Sequence, residues 1–115
     1  MKIIEEIVKE HLERHLDVPV KVKKDVSLER YCLIERTGGG EEEYIPSAVI
    51  AIQSYGSSMY DAATLNEFVK AAMKKLISNN AIALSELNSD YHYPDLEIKK
   101  ERYQAVYNIK YYQED

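Results

Sequence analysis

The run Ala48–Ile52 (AVIAI) is apolar at every position, so as an extended strand it shows oily side chains on both faces. Such a strand belongs inside a sheet, flanked by other strands and covered above and below, and Tyr44–Tyr55 is predicted as that strand. Gly56 then breaks the extended run, and Ser58 with Asp61 three residues later reads as a capping pair that starts a helix. Ala62, Leu65, Val69, Ala72, Met73 and Leu76 recur at helical spacing, with Lys74 and Lys75 near the end, where positive charge suits the dipole. A helix over Met59–Ile77 is about 28 Å long at 1.5 Å per residue, enough to cross a small sheet, and Asn79-Asn80 stops it.

The remaining elements follow from the same two periodicities. Ile4, Ile7, Val8, Leu12 and Leu16 place one apolar stripe on a helix over residues 2–16, which Pro19 ends. Val18, Val20 and Val22 alternate with Lys21 and Lys23, a strand with one wet face. Further strands are predicted at Tyr31–Arg36, Ile82–Leu87 and Arg102–Tyr112, with Tyr103, Ala105, Tyr107, Ile109 and Tyr111 on one face of the last. Thr37-Gly38-Gly39-Gly40 followed by Glu41, Glu42 and Glu43 reads as a mobile, acidic hairpin loop. Asn88–Asp95, rich in turn formers and aromatics, reads as a long loop continuing into the charged LEIKKE segment. The expected architecture is α+β: a mainly antiparallel sheet of about five strands with two helices packed on it, in one domain of 115 residues.

Composition narrows the chemistry. Fifteen basic against twenty acidic side chains leave a net charge of −5, which disfavours general binding to phosphate backbones; Lys21, Lys23 and Lys24 form the nearest thing to a basic patch. Cys32 is the single cysteine, so no internal disulfide forms, and a reducing compartment is expected. The opening residues carry acids where a secretory signal needs an apolar stretch, and no run approaches the roughly 20 apolar residues of a membrane helix. Ten tyrosines against one phenylalanine and no tryptophan suit half-buried strands and interfaces that stay soluble before assembly.

No constellation of an enzyme is complete. His11 and His15 share a helix face, but Leu12 stands where a metalloprotease helix needs Glu, and no third metal ligand is identifiable. The glycine triplet is followed by glutamates rather than by Lys-Ser/Thr and a helix, which refuses a phosphate loop. Cys32 lies within a predicted strand, away from anything that lowers a thiol pKa, and reads as a buried structural thiol. His92 stands between Asp90 and Asp95, a pairing that so turn-rich a segment produces by composition alone. Neither a cofactor nor a catalytic residue is expected.

RTGGG at 36–40, AVIAIQSYG at 48–56 running into SSMYDAATLNEFVKAAMKKL, LNSDYHYP at 87–94 and RYQAVYNI at 102–109 resemble, in this order and spacing, the small tail terminator or tail completion proteins of long-tailed bacteriophages and prophages. The resemblance spans residues 30–112. It implies a non-enzymatic virion protein, assembled in the bacterial host cytoplasm, that closes the tail tube as a homo-oligomeric ring, typically six-fold. Its partners would then be copies of itself, the tail tube protein and the head connector protein, with no membrane and no direct nucleic-acid readout. By similarity, the contacts are expected in two segments: Thr37, Gly38, Gly39, Gly40, Glu41, Glu42 and Glu43, and Asn88–Asp95 with Asp90, Tyr91, His92 and Tyr93 at its centre. The acidic residues Glu41–Glu43 are expected to meet a basic patch on a neighbour, with Lys21–Lys24 as the candidate. The other readings are a connector-stopper subunit and a small regulatory or adaptor module that binds a host protein.

Overall fold

A computed structural model describes residues 2–113. In chain order these form α1 (Ile4–His15), β1 (Val20–Lys21), β2 (Tyr31–Glu42), β3 (Ile45–Gly56), α2 (Met59–Met73), a short 3-10 turn (Leu76–Ser78), β4 (Ile82–His92) and β5 (Glu101–Tyr111). The strands make one sheet in the order β1-β2-β3-β5-β4, antiparallel throughout except for β1, which runs parallel to β2. This is the α+β architecture that the periodicities predict. Among the described residues no helix is long and apolar enough to cross a membrane.

β3 is central, as its two-sided apolar run requires, and Ile50, Ala51 and Ile52 are all fully buried. Both helices pack on one face of the sheet, α2 over β3 and β5 and α1 beside it over β1 and β2. Ile4, Val8 and Leu12 from α1 join Leu65, Val69 and Met73 from α2 over Ile50, Ile52, Ala105 and Ile109, and this is the main core. The cap of α2 forms as its sequence suggests: Ser58 Oγ accepts from the Asp61 backbone N–H at 3.0 Å, and the Asp61 carboxylate accepts from the Ser57 N–H at 3.0 Å. Gly56 lets the strand turn closely into the helix, since a Cβ there would sit 2.5 Å from the Ala62 backbone nitrogen.

Four boundaries differ from the sequence reading. The valine-lysine alternation at 18–23 yields only Val20–Lys21, because β2 beyond Leu33 has no strand beside it on that edge. α2 ends at Met73 rather than Ile77, and the chain tightens through the 3-10 turn to bury Leu76. Thr37–Glu42 is not a mobile loop. It continues β2, with Gly38, Gly39, Gly40, Glu41 and Glu42 opposite Val49, Ala48, Ser47, Pro46 and Ile45. Asn88–His92 is likewise strand rather than loop, paired with β5 as far as His92 opposite Tyr103. In both cases the partner strand supplies hydrogen bonds that outweigh the turn-forming composition.

The far face of the sheet is half covered. Tyr31 stacks parallel on Tyr55 with ring centroids 4.8 Å apart, and Leu28 and Ile98 from two crossing loops close over this pair and Leu33.

Candidate functional site

The two segments marked by the resemblance lie toward opposite ends of the sheet. Glu41 is opposite Pro46, whereas Tyr91 is aligned through Gln104 with Gln53. Seven residues of β3 separate those positions, about 23 Å at 3.3 Å per residue.

At the first end, β2 and β3 close in a two-residue turn, Glu43 at φ 51° and Tyr44 at φ 69°. A two-residue hairpin turn with positive φ at both positions matches the strand twist, and Asn-Gly is its favoured sequence. None of the glycines has positive φ; their small size serves packing instead. The Arg36 guanidinium lies across Gly38 and Gly39, with Nε donating to Gly38 O at 3.2 Å, and a Cβ on Gly39 would fall 2.5 Å from it and 2.7 Å from Ser47 O. Thr37 is the extra residue of a bulge between Arg36 and Gly38, and its hydroxyl donates to Val49 O at 3.4 Å. Glu41, Glu42, Glu43 and Tyr44 are exposed, Tyr44 to 93%. Glu42 reaches Lys110 at 3.5 Å.

The second end is fastened by a polar network. Buried Asp95 accepts from Tyr55 Oη at 2.8 Å and forms ion pairs with Lys24 at 2.6 Å and Arg102 at 3.5 Å. Arg102 also donates to Tyr55 Oη at 3.0 Å and to Tyr93 O at 2.7 Å, and its guanidinium covers the Tyr93 ring at 4.2 Å. Gln53 Nε2 donates to Gln104 Oε1 at 2.8 Å, and Gln104 Nε2 to Tyr91 Oη at 2.6 Å. Burial works against the Asp95 charge, but Lys24, Tyr55 and Arg102 outweigh it and hold the carboxyl at about 2. Burial, then donation to Asp95, pushes the Tyr55 phenol upward. The network binds the loops on either side of Asp25 and Leu96 to the sheet, and Lys100 Nζ adds a bond to Leu28 O at 2.7 Å.

The sequence candidates are dispersed. His92 pairs with neither Asp90 nor Asp95: it meets Glu101 at 3.1 Å and stacks on Tyr103, while Asp90 receives Asn66 at 3.2 Å and Lys70 at 3.4 Å. Lys24 is committed to Asp95, so the 21–24 patch is reduced to Lys21 and Lys23. His11 is buried, with Nε2–H donating to Ala72 O at 2.7 Å; burial lowers its pKa, and it serves to join α1 to α2. Burial lifts the Cys32 thiol to about 12, so it stays protonated beside Ser54. No group of three or more His, Cys, Asp or Glu among the described residues is placed to hold a metal.

Two features escaped the sequence reading. One is the Asp95 network, whose only signal is polar Gln53, Tyr55, Arg102 and Gln104 at alternate positions of two neighbouring strands. The other is a groove between α2 and β4, floored by Met73, Leu87 and Tyr107 and rimmed by Glu67, Lys70 and Lys74, with a volume of about 420 Å³. No periodicity marks it, because it forms between elements distant in the chain.

Compared with known proteins, the chain matches no protein-family model and no curated sequence.

Proposed function

We propose that this protein is a structural subunit of a phage tail, closing the tail tube as a homo-oligomeric ring and joining it to the head connector, and that it acts by contact rather than catalysis. The observation that carries this reading is the placement of the two segments on which the sequence resemblance rests. Both are paired strand ends of one sheet, about 23 Å apart by strand rise, and exposed aromatic side chains stand at each: Tyr44 directly after the first segment, Tyr91 and Tyr93 within the second. A ring subunit needs separate surfaces for each neighbour and for the structures above and below it. Tyrosine suits such surfaces, since its ring buries a large area while its hydroxyl keeps the free subunit wettable.

The test is deletion of the gene from its phage followed by electron microscopy of the lysate. Tails of uncontrolled length beside unattached heads are the expected result. Intact, infectious virions would end the reading. Heads that leak DNA beside tails of normal length would move the subunit to the head side, as a connector-stopper.

A further inference from the structure

The tip of the β2–β3 hairpin holds a large aromatic where the backbone least favours one. Positive φ is rare for a bulky side chain and carries a strain that Asn-Gly would relieve. Glu43 and Tyr44 nonetheless occupy both positions, and Tyr44 remains 93% exposed. An aromatic held by a short paired turn, without cover from its own chain and flanked by carboxylates, has the form of an interface anchor.

The α2–β4 groove has the complementary chemistry. Its floor is apolar, with Met73 and Tyr107 buried and Leu87 43% exposed. On its rim, the lining carboxylate Glu67 holds Lys70 at 2.6 Å, with Asp90 at 3.4 Å on the same ammonium, while Lys74 makes no ion pair among the described residues. The groove therefore fits an aromatic ring that brings a negative charge toward Lys74, as the sequence Glu41–Tyr44 does. The tip cannot enter its own groove, because the ladder holds β2 and β3 paired up to Glu42 opposite Ile45.

We propose that the Glu41–Tyr44 tip of one copy seats in the α2–β4 groove of a second copy, with the Tyr44 ring on Leu87 and Tyr107 and the Glu41 and Glu43 carboxylates facing Lys74. Knob and socket are different patches of one chain, so the contact is head-to-tail and closes into a ring when the rotation permits. This deepens the assembly reading above and rests on it.

Cysteine pairing tests the contact. Glu43→Cys protein mixed with Lys74→Cys protein under mild oxidation should give a covalent heterodimer that neither gives alone, with the Tyr44 anchor and the Leu87 floor intact; both sites are exposed, and the native Cys32 is buried. Absence of the heterodimer at millimolar protein overturns the contact. Tyr44→Ala should weaken self-association about 30-fold, the loss of roughly 2 kcal/mol typical of an interface anchor at 1.4 kcal/mol per tenfold. Glu43→Lys should weaken it as well, and adding Lys74→Glu should recover part of the loss. Supplying Tyr44→Ala to the deletion phage keeps the two failures apart: normal tails with that variant sink the contact alone, whereas normal tails with no gene at all sink the function.

Discussion

The two ends of the sheet are built on opposite terms. At the Asp95 end one buried carboxylate gathers its partners from inside the protein: Lys24, Arg102, Tyr55 and two loops meet on it. At the hairpin tip the side chains of Glu41, Glu43 and Tyr44 face solvent, and the backbone accepts two positive φ angles to put them there. One end invests its polar groups in holding the fold together. The other leaves them free for something outside. Residues that maintain the fold are thus separated from residues offered for contact, and the difference is open to measurement.

The largest effect is expected from glycine. Gly56→Ala drives a Cβ to 2.5 Å from the Ala62 nitrogen, and because that neighbour is backbone, the change should cost about 3 kcal/mol in chemical denaturation. Gly40→Ala near the tip meets only Ser47 Oγ at 3.7 Å and should stay within about 0.5 kcal/mol of wild type. Equal losses at both would erase the distinction between the ends.

Asp95→Ala should follow, at about 2 kcal/mol, since it leaves Tyr55 and Arg102 without their buried acceptor. The same carboxylate predicts an acid response. Its pKa is about 2 in the folded protein, against roughly 3.9 in an unfolded chain. Its contribution is therefore complete above about pH 4 and fades as pH falls toward 2. In Asp95→Asn that part of the acid limb should disappear from the stability profile; an unchanged profile would mean that the network does not hold this end.

Replacing Glu43-Tyr44 with Asn-Gly should work in the other direction, raising stability by about 1 kcal/mol through relief of the turn while abolishing self-association. A variant that is more stable and still associates normally would show that the strained turn serves no contact. Smallest of all, Glu41→Gln should leave the unfolding free energy unchanged to within about 0.5 kcal/mol, since Glu41 makes no ion pair among the described residues.

How far the sequence was legible depended on where each residue's partners lie. The apolar stripe of Ile4, Val8 and Leu12 and the Ser58–Asp61 cap announce themselves, because their signals recur within one or two helical turns. Asp95 gives no sign of its role, since Lys24, Tyr55 and Arg102 come from three other parts of the chain. Thr37–Glu43 misleads for a related reason. A glycine run has no local preference for strand, so composition favours a loop until Ala48 and Val49 on the neighbouring strand impose the ladder.

Side-chain periodicity alone thus settled that β3 lies inside a sheet and that two amphipathic helices pack on that sheet, because burial of apolar area is dictated by which residues share a face. Only the tertiary structure decided that β2 and β4 run on through their glycines and turn formers, that the candidate contact segments end up far apart, and that a groove carrying Lys74, unpaired among the described residues, on its rim opens beside β4. Those features depend on hydrogen bonds and charges contributed across long stretches of chain, and such pairings exist only once the strands have met.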